Sequence, residues 1–411
     1  MILCALAALL VAPASAGAIN SVSFSQVGNL TSERVAPGAA RLPDGRVLVV
    51  GGHGASGYLD SAEVFNPTTN TFSALGATMT SVRWGPGVAS LPDGRVLIAG
   101  GHTGIGGDTA TAEVFNPSSE TFSAVGPMTD GRVIPAVAKL PDGRVLIGGG
   151  FSNGSVLASS EIFDPKTNSF SPGPSLPQPK YGPASAGISG GRTLVAGGYD
   201  SNYLSSSHVF SPTTNAFSPV ADLPIRRYAP AGASLPQGRA LVAGGNDGGD
   251  FTKDALIFDP TASTFSSAGI GSLLHERTEA VAIELRDGRV LVAGGEDATD
   301  ELETAEVLSV PSNAFKAKLK GRKVIFKVSN EGVGEVTDTS TKLVTTAKKK
   351  KPKLVKTTTK HGGPGKIKVK IKLTKRGAAT LADKGKLKIR VAYTPDGGLA
   401  KTKTLKLRAG K

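Results

Sequence analysis

The stretch Leu42-Pro43-Asp44-Gly45-Arg46-Val47-Leu48-Val49-Val50-Gly51-Gly52 recurs at Leu91 to Gly101, Leu140 to Gly150, Leu235 to Gly245 and Leu285 to Gly295, with a looser copy at Ile188 to Gly198. The arginine of its turn falls at 46, 95, 144, 192, 239 and 289, at intervals of 47 to 50 residues. Six in-phase copies of one supersecondary unit imply a ring of repeated blades, since a unit this small buries its apolar faces only against its neighbours.

Each unit reads as four short antiparallel strands. An Asp-Gly or similar pair closes the first hairpin, because such pairs accept the positive backbone angles that a tight turn demands. The second strand, Arg46 to Val50, is apolar at consecutive positions, the pattern of a strand covered on both faces. Gly51-Gly52 then lets the chain leave the strand where a side chain would clash. The third strand, Ala62-Glu63-Val64-Phe65, is echoed at Ala112, Ser160, Ser207, Ala255 and Ala305. The turn Asn66-Pro67-Thr68-Thr69-Asn70 leads to a fourth strand marked by Phe72, with counterparts Phe122, Phe170, Phe217, Phe265 and Phe315.

The double glycine, the turn before it and the Glu-Val-Phe-Asn-Pro-Thr-Thr-Asn-Thr-Phe run resemble the kelch repeats of galactose oxidase-type central domains over Ser21 to Phe315. The resemblance implies an all-β, six-bladed β-propeller. Departures are local: Gly148-Gly149-Gly150 carries an extra glycine, Gly190-Gly191 and Gln237-Gly238 replace the Asp-Gly pair, and phenylalanine stands where the family's fourth strand has tryptophan. Ser23-Phe24-Ser25 offers a seventh fourth-strand candidate. We expect Ser21 to Gly28 to complete the sixth blade and Phe315 to open the next domain; the alternative closure uses Phe315 itself.

The apolar run Met1 to Val11 and the small residues Ala14-Ser15-Ala16 read as a secretory leader, residues 1–18. No basic residue precedes the run, which suggests a start further upstream. The run is too short to span a bilayer, which takes about 20 residues. Cys4, the sole cysteine, falls inside this leader. The expected organisation is therefore leader 1–18, propeller 19–313 and a second domain 314–411, in a protein that is secreted or held at the cell surface.

Charge divides the same way. Residues 1–315 hold 18 Lys plus Arg against 28 Asp plus Glu, a net −10, whereas residues 316–411 hold 29 against 5, a net +24. Strict alternation in Lys366 to Leu373, Lys386 to Val391 and Thr402 to Leu407 puts lysines on one strand face and apolar residues on the other, as in a small β-sandwich. The pattern resembles the lysine-rich, immunoglobulin-like carboxy-terminal domains of secreted bacterial proteins. Thr374 to Lys384 reads as a short helix or crossover, and Lys348 to Lys353 as a solvated loop. The basic face is either a solvated surface or a contact for anionic cell-envelope polymer. Nucleic acid is disfavoured, since only Phe326 and Tyr393 follow Phe315 as stacking residues.

Galactose oxidase holds copper with two tyrosines, one crosslinked to cysteine, and two histidines. Without Cys4 no such crosslink forms, and we expect no cofactor. His53 and His102 occupy equivalent positions after the double glycines of adjacent units; they read as loop histidines, with a two-histidine metal site as the alternative. The acidic loops Asn246 to Asp250 and Glu296 to Glu303 could hold calcium but match no EF-hand spacing, and read as ordinary turns. Glu63, Glu113, Glu161 and Glu306 are read with the turn arginines as structural, although His208 and Leu256 replace them in two units.

The candidate ligand-binding set comes from the repeat. A cation precedes each first strand, at Arg34, Arg83, Arg132, Lys180, Arg227 and Arg277, and proline follows five of them at 37, 86, 135, 183 and 230. Sixfold repetition places them in a ring near one channel mouth, where they either clasp anionic groups of a ligand or bond carbonyls and carboxylates of the adjoining blade. Trp84, Tyr181 and Tyr228 follow three of them; they either stand exposed, where they suit a sugar or peptide, or pack between blades. The expectation is a binding protein that takes a glycan or protein ligand at a propeller mouth. The alternatives are a carbohydrate oxidase or sugar isomerase and an envelope scaffold.

Overall fold

The structure, a computed structural model, describes residues 22–309 with their side chains, together with the backbone of seven strands between 314 and 408. Residues 1–21, including the expected leader, lie outside the described residues, as do the two segments read as a helix or crossover and a lysine loop.

Val22–Val310 form one compact unit of six four-stranded antiparallel sheets. In blade one the strands run Gly38–Arg41, Val47–Val50, Ala62–Asn66 and Thr71–Ala74, from the innermost outward. Blades two to five repeat this order from first strands at Gly87–Ser90, Ala136–Lys139, Ala184–Ile188 and Ala231–Leu235. Blade six takes Val281–Glu284, Val290–Ala293 and Ala305–Leu308 from its own repeat and its outer strand, Phe24–Gln26, from the amino-terminal end, with Phe24 opposite Leu308. Phe315 lies instead in the strand Ala314–Lys320 of the second unit.

The second strands show why their sequences do not alternate. Val47 to Val50 are all fully buried. Leu48 and Val50 pack with Val96, Ile98 and Phe115 of blade two, whereas Val47 and Val49 pack with Leu291, Ala293 and Val307 of blade six. Each blade is thus a layer between two others, and burying both faces is what holds the ring together. The repeated phenylalanines also pair: Phe65 meets Phe72 across the outer strands at 4.9 Å between ring centres, and four more blades repeat the contact at 4.9–5.1 Å.

The second unit contains two antiparallel sheets. One joins Ala314–Lys320, Lys323–Asn330 and Gly365–Lys372; the other orders Thr359–Gly362, Gly334–Ser340, Lys386–Pro395 and Lys401–Arg408 side by side. The alternating lysine segments are therefore strands.

Candidate functional site

Two kinds of connection share one end of the propeller: the linkers entering each blade and the loops between its second and third strands. We call this the loop face; the Asp-Gly hairpins lie on the opposite, turn face.

The ring cations are built into this face rather than presented on it. Arg34, Arg83, Arg132, Lys180, Arg227 and Arg277 are 0–3 % exposed. Arg34 donates to the carbonyls of Gly51 and Ser61 at 2.8 and 3.1 Å and to Glu63 Oε1 at 2.9 Å. Arg83 makes the same bonds to Gly100, Thr111 and Glu113. Each cation's own carbonyl meanwhile accepts from the second glycine of the preceding blade, as Arg83 does from Gly52 at 2.8 Å. The residue is therefore a staple between blades. The expectation that these six cations clasp a ligand is corrected accordingly: their donors are turned to the protein's own carbonyls and carboxylates, and the alternative read from the sequence describes them.

The third-strand glutamates are structural, as the sequence reading has them. They pair with the staples, not with the turn arginines: Arg34–Glu63 at 2.9 Å, Arg83–Glu113 at 3.0 Å, Arg132–Glu161 at 3.3 Å and Arg277–Glu306 at 2.8 Å. Each carboxylate also accepts a linker N–H, such as that of Thr31 on Glu63 at 2.6 Å. Four turn arginines, Arg46, Arg95, Arg144 and Arg289, bond their own turn's aspartate instead, and Arg192, whose turn has none, donates to the Ser189 carbonyl. Where His208 and Leu256 replace glutamate, Lys180 bonds Gly197 and Ser206, and Arg227 bonds Gly244 and Asp254. Burial without a carboxylate partner at that position pushes Lys180 down to about 8.

Two residues beyond each staple the chain reaches the channel axis. Ala36, Gly85, Ile134, Gly182, Ala229 and Glu279 all adopt positive φ, between 45° and 66°. Their backbones bond in a closed ring: Gly85 N–H donates to Ala36, Ile134 to Gly85, Gly182 to Ile134, Ala229 to Gly182, Glu279 to Ala229 and Ala36 to Glu279, at 2.7–3.1 Å. This throat bounds a channel cavity of about 340 Å³ lined by the six innermost strands.

Glu279 is the throat's only titratable side chain. Its Oε1 accepts the Tyr228 hydroxyl at 2.6 Å, while Oε2 is buried with no hydrogen-bond partner. Burial pushes its carboxyl up to about 7, with Glu296 adding to the rise and Tyr228 and Trp84 opposing it. Burial and Glu279 together push the Tyr228 hydroxyl well up. Tyr228 and Trp84, which adjoin this carboxyl, each belong to a run of aromatic rings. Phe151, Tyr181, Tyr228, Tyr199 and Tyr203 form a chain with centres 5.2–6.4 Å apart, and His53, Tyr58, His102 and Trp84 form a second at 5.1–6.4 Å.

Trp84, Tyr181 and Tyr228 are half-buried on the loop-face linkers, between the exposed and the packed alternatives. His53 and His102 both contact the Tyr58 ring, and each holds a carboxylate, Glu301 at 2.6 Å and Asp108 at 2.7 Å. Asp247 and Asp297 use Oδ1 to accept the N–H groups of their own turns. Among the described residues no group of three or more His, Cys, Asp or Glu is arranged to hold a metal ion. Glu279 was missed in the sequence, but a signal was present: the throat position reads Ala, Gly, Ile, Gly, Ala, Glu through the six repeats, and Ala280 replaces the proline that follows it elsewhere.

A kelch motif model matches residues 36–77, 86–129 and 181–224, in blades one, two and four. The chain carries kelch motifs. Its kelch propeller is similar to a solved structure titled "Structure of YjhT", with a TM-score of 0.58 at 14% identity, over 69% of this chain and 97% of that one. At that identity the likeness concerns the fold. No curated protein matches the chain in sequence. A kelch propeller is a general protein-binding fold, and no helix among the described residues is long and apolar enough to cross a membrane.

Proposed function

We propose that the kelch propeller is a recognition module that takes a ligand at the loop-face mouth, a protein in preference to a glycan. The observation that carries this is the distribution of exposed apolar side chains. Tyr58, Ile105, Ile225 and Leu274 are the exposed large hydrophobic residues among those described, and all four stand on loop-face connections. Ile105 protrudes fully from a glycine-flanked loop beside Tyr58. Apolar side chains gathered on one face of a soluble fold mark an interaction surface, and the adjoining Trp and Tyr rings are the residue types that anchor such surfaces.

Charge narrows the partner. The loop-face connections carry 16 Asp and Glu against 8 Lys and Arg, and six of those cations are the buried staples. The hairpins joining first to second strands on the turn face carry four Asp and five Arg, and Arg192 and Arg239 open the second strands beside them. A basic partner surface is favoured on the loop face, and an anionic glycan is disfavoured. In the same reading the chain is exported, and its basic carboxy-terminal part, with the two sheets packed as an immunoglobulin-like sandwich, associates with anionic cell-surface polymer.

The test is to screen the full chain against basic, neutral and acidic peptides and a glycan array at two salt concentrations, beside the variants Ile105→Asp and Trp84→Ala. Binding of basic peptides that both variants lose supports the reading; binding that survives both changes refutes it. A catalytic reading rests on Glu279, a proton carrier near neutrality beside Tyr228. It requires turnover of a sugar that Glu279→Gln abolishes.

A further inference from the structure

We infer that the throat is an ammonium site: Glu279 Oε2, ringed by Trp84, Tyr181 and Tyr228, takes the side-chain ammonium of a lysine from the bound partner. This rests on the protein-binding reading above and names the group that would anchor the partner.

Three observations converge on it. First, Glu279 is 8 % exposed and Oε2 has no hydrogen-bond partner, although Oε1 is held by Tyr228 at 2.6 Å. A buried carboxylate oxygen left unsatisfied costs free energy that an incoming donor recovers. Trp84 presents its indole to the same carboxyl and favours the ionised form without satisfying Oε2. Second, aromatic residues adjoin the carboxyl, Tyr228 by its hydroxyl and Trp84 by its indole. Tyr181 and Tyr228 lie 5.2 Å apart, and a cation within about 6 Å of such rings is attracted by their quadrupoles. Third, among the described residues no cation pairs with this carboxyl. The staples are turned to their own carbonyls, and Arg226 lies over the Tyr203 ring at 5.9 Å.

Lysine suits the site better than arginine. A throat of six backbones with one free carboxylate oxygen accepts a compact point charge on an unbranched stem, whereas a guanidinium needs two acceptors for its fork. Binding selects the ionised carboxylate, so affinity rises with pH through the range in which Glu279 loses its proton. The other groups facing it are Tyr228 and Tyr181, both pushed upward, and Glu296, pushed upward by burial and by Glu301. Glu296 titrates in the same sense, so it adds to the slope and does not reverse it.

The experiment is selection of short random displayed peptides on the full chain, keeping those that wild type retains and Ile105→Asp loses. The expected peptides contain a lysine whose replacement by norleucine lowers affinity about tenfold or more in wild type. Glu279→Gln is expected to bind the lysine and norleucine forms alike, and wild-type affinity to rise between about pH 6 and about pH 8. The lysine-to-norleucine comparison and the pH series use wild type alone, so a poorly folding variant does not shield the inference. Selected peptides without lysine, or lysine peptides bound equally by Glu279→Gln, overturn the ammonium site and leave the protein-binding face standing. A selection yielding no peptide that Ile105→Asp loses overturns both. Glucosamine oligomers bound in place of peptides overturn the assignment to lysine.

Discussion

Arg83 does three things at once: its guanidinium ties Gly100 and Thr111 together, its charge meets Glu113, and its carbonyl accepts from Gly52 of the blade before. Removing one partner of a buried ion pair leaves the other uncompensated, at a cost of about 3–5 kcal/mol. Arg83→Met should therefore destabilise the protein by at least about 3 kcal/mol, measured as a fall in the urea midpoint. The double variant Arg83→Met with Glu113→Leu should regain part of that loss, because no stranded charge remains. Glu279 gives a prediction with a sign. Its folded value near 7 lies above the ordinary 4.5, so between the two the folded state binds more protons than the unfolded state. This contribution is whole below about 4.5 and is lost as pH rises through about 7. Urea midpoints between those limits should fall less steeply with pH in Glu279→Gln than in wild type, the remaining slope being set by Glu296 and Glu284, which burial also raises, against His208, which burial lowers. The staples themselves are visible in the sequence as a sixfold pattern. Their burial is not, because a cation before a strand has the same spelling whether it faces a ligand or its own backbone.

At the scale of the element, the double glycine ends each second strand for two distinct reasons. Gly51 has φ 68°, and a Cβ there would sit 2.4 Å from the Arg83 carbonyl oxygen. Gly57, in the hairpin of the same loop, has φ 98° with open space around it. Backbone strain alone costs about 1–3 kcal/mol, so Gly57→Ala should lose about that much. Gly51→Ala should lose more, since it also pushes away the carbonyl that accepts from Gly52. Thermal unfolding of the two variants side by side checks the order, and equal losses would refute the steric account. Strand order, hairpin position and the double coverage of Val47 to Val50 are legible in the amino-acid sequence, because hydrophobic period and turn chemistry are local. The partner of Glu63 is not, since it depends on a linker 29 residues away in sequence.

Across the whole molecule, the ring closes by giving its amino-terminal strand to its last blade. Without Phe24–Gln26, the strand Ala305–Leu308 is left as an unpaired edge, and such edges recruit other chains. A chain lacking residues 1–28 should unfold at lower temperature and elute as oligomers on size-exclusion chromatography; a stable monomer would refute this closure. The sequence alone determined the blade count, the strand order within a blade and the division of charge between the two parts, because repetition, periodicity and composition are properties of the chain itself. Only the tertiary structure decided which charges are staples and which face the solvent. It likewise decided that one glutamate among five small or apolar throat residues would be buried there with a free oxygen. Those outcomes depend on which backbone carbonyls converge when six separate repeats meet on one axis, and no segment of the sequence carries that meeting by itself.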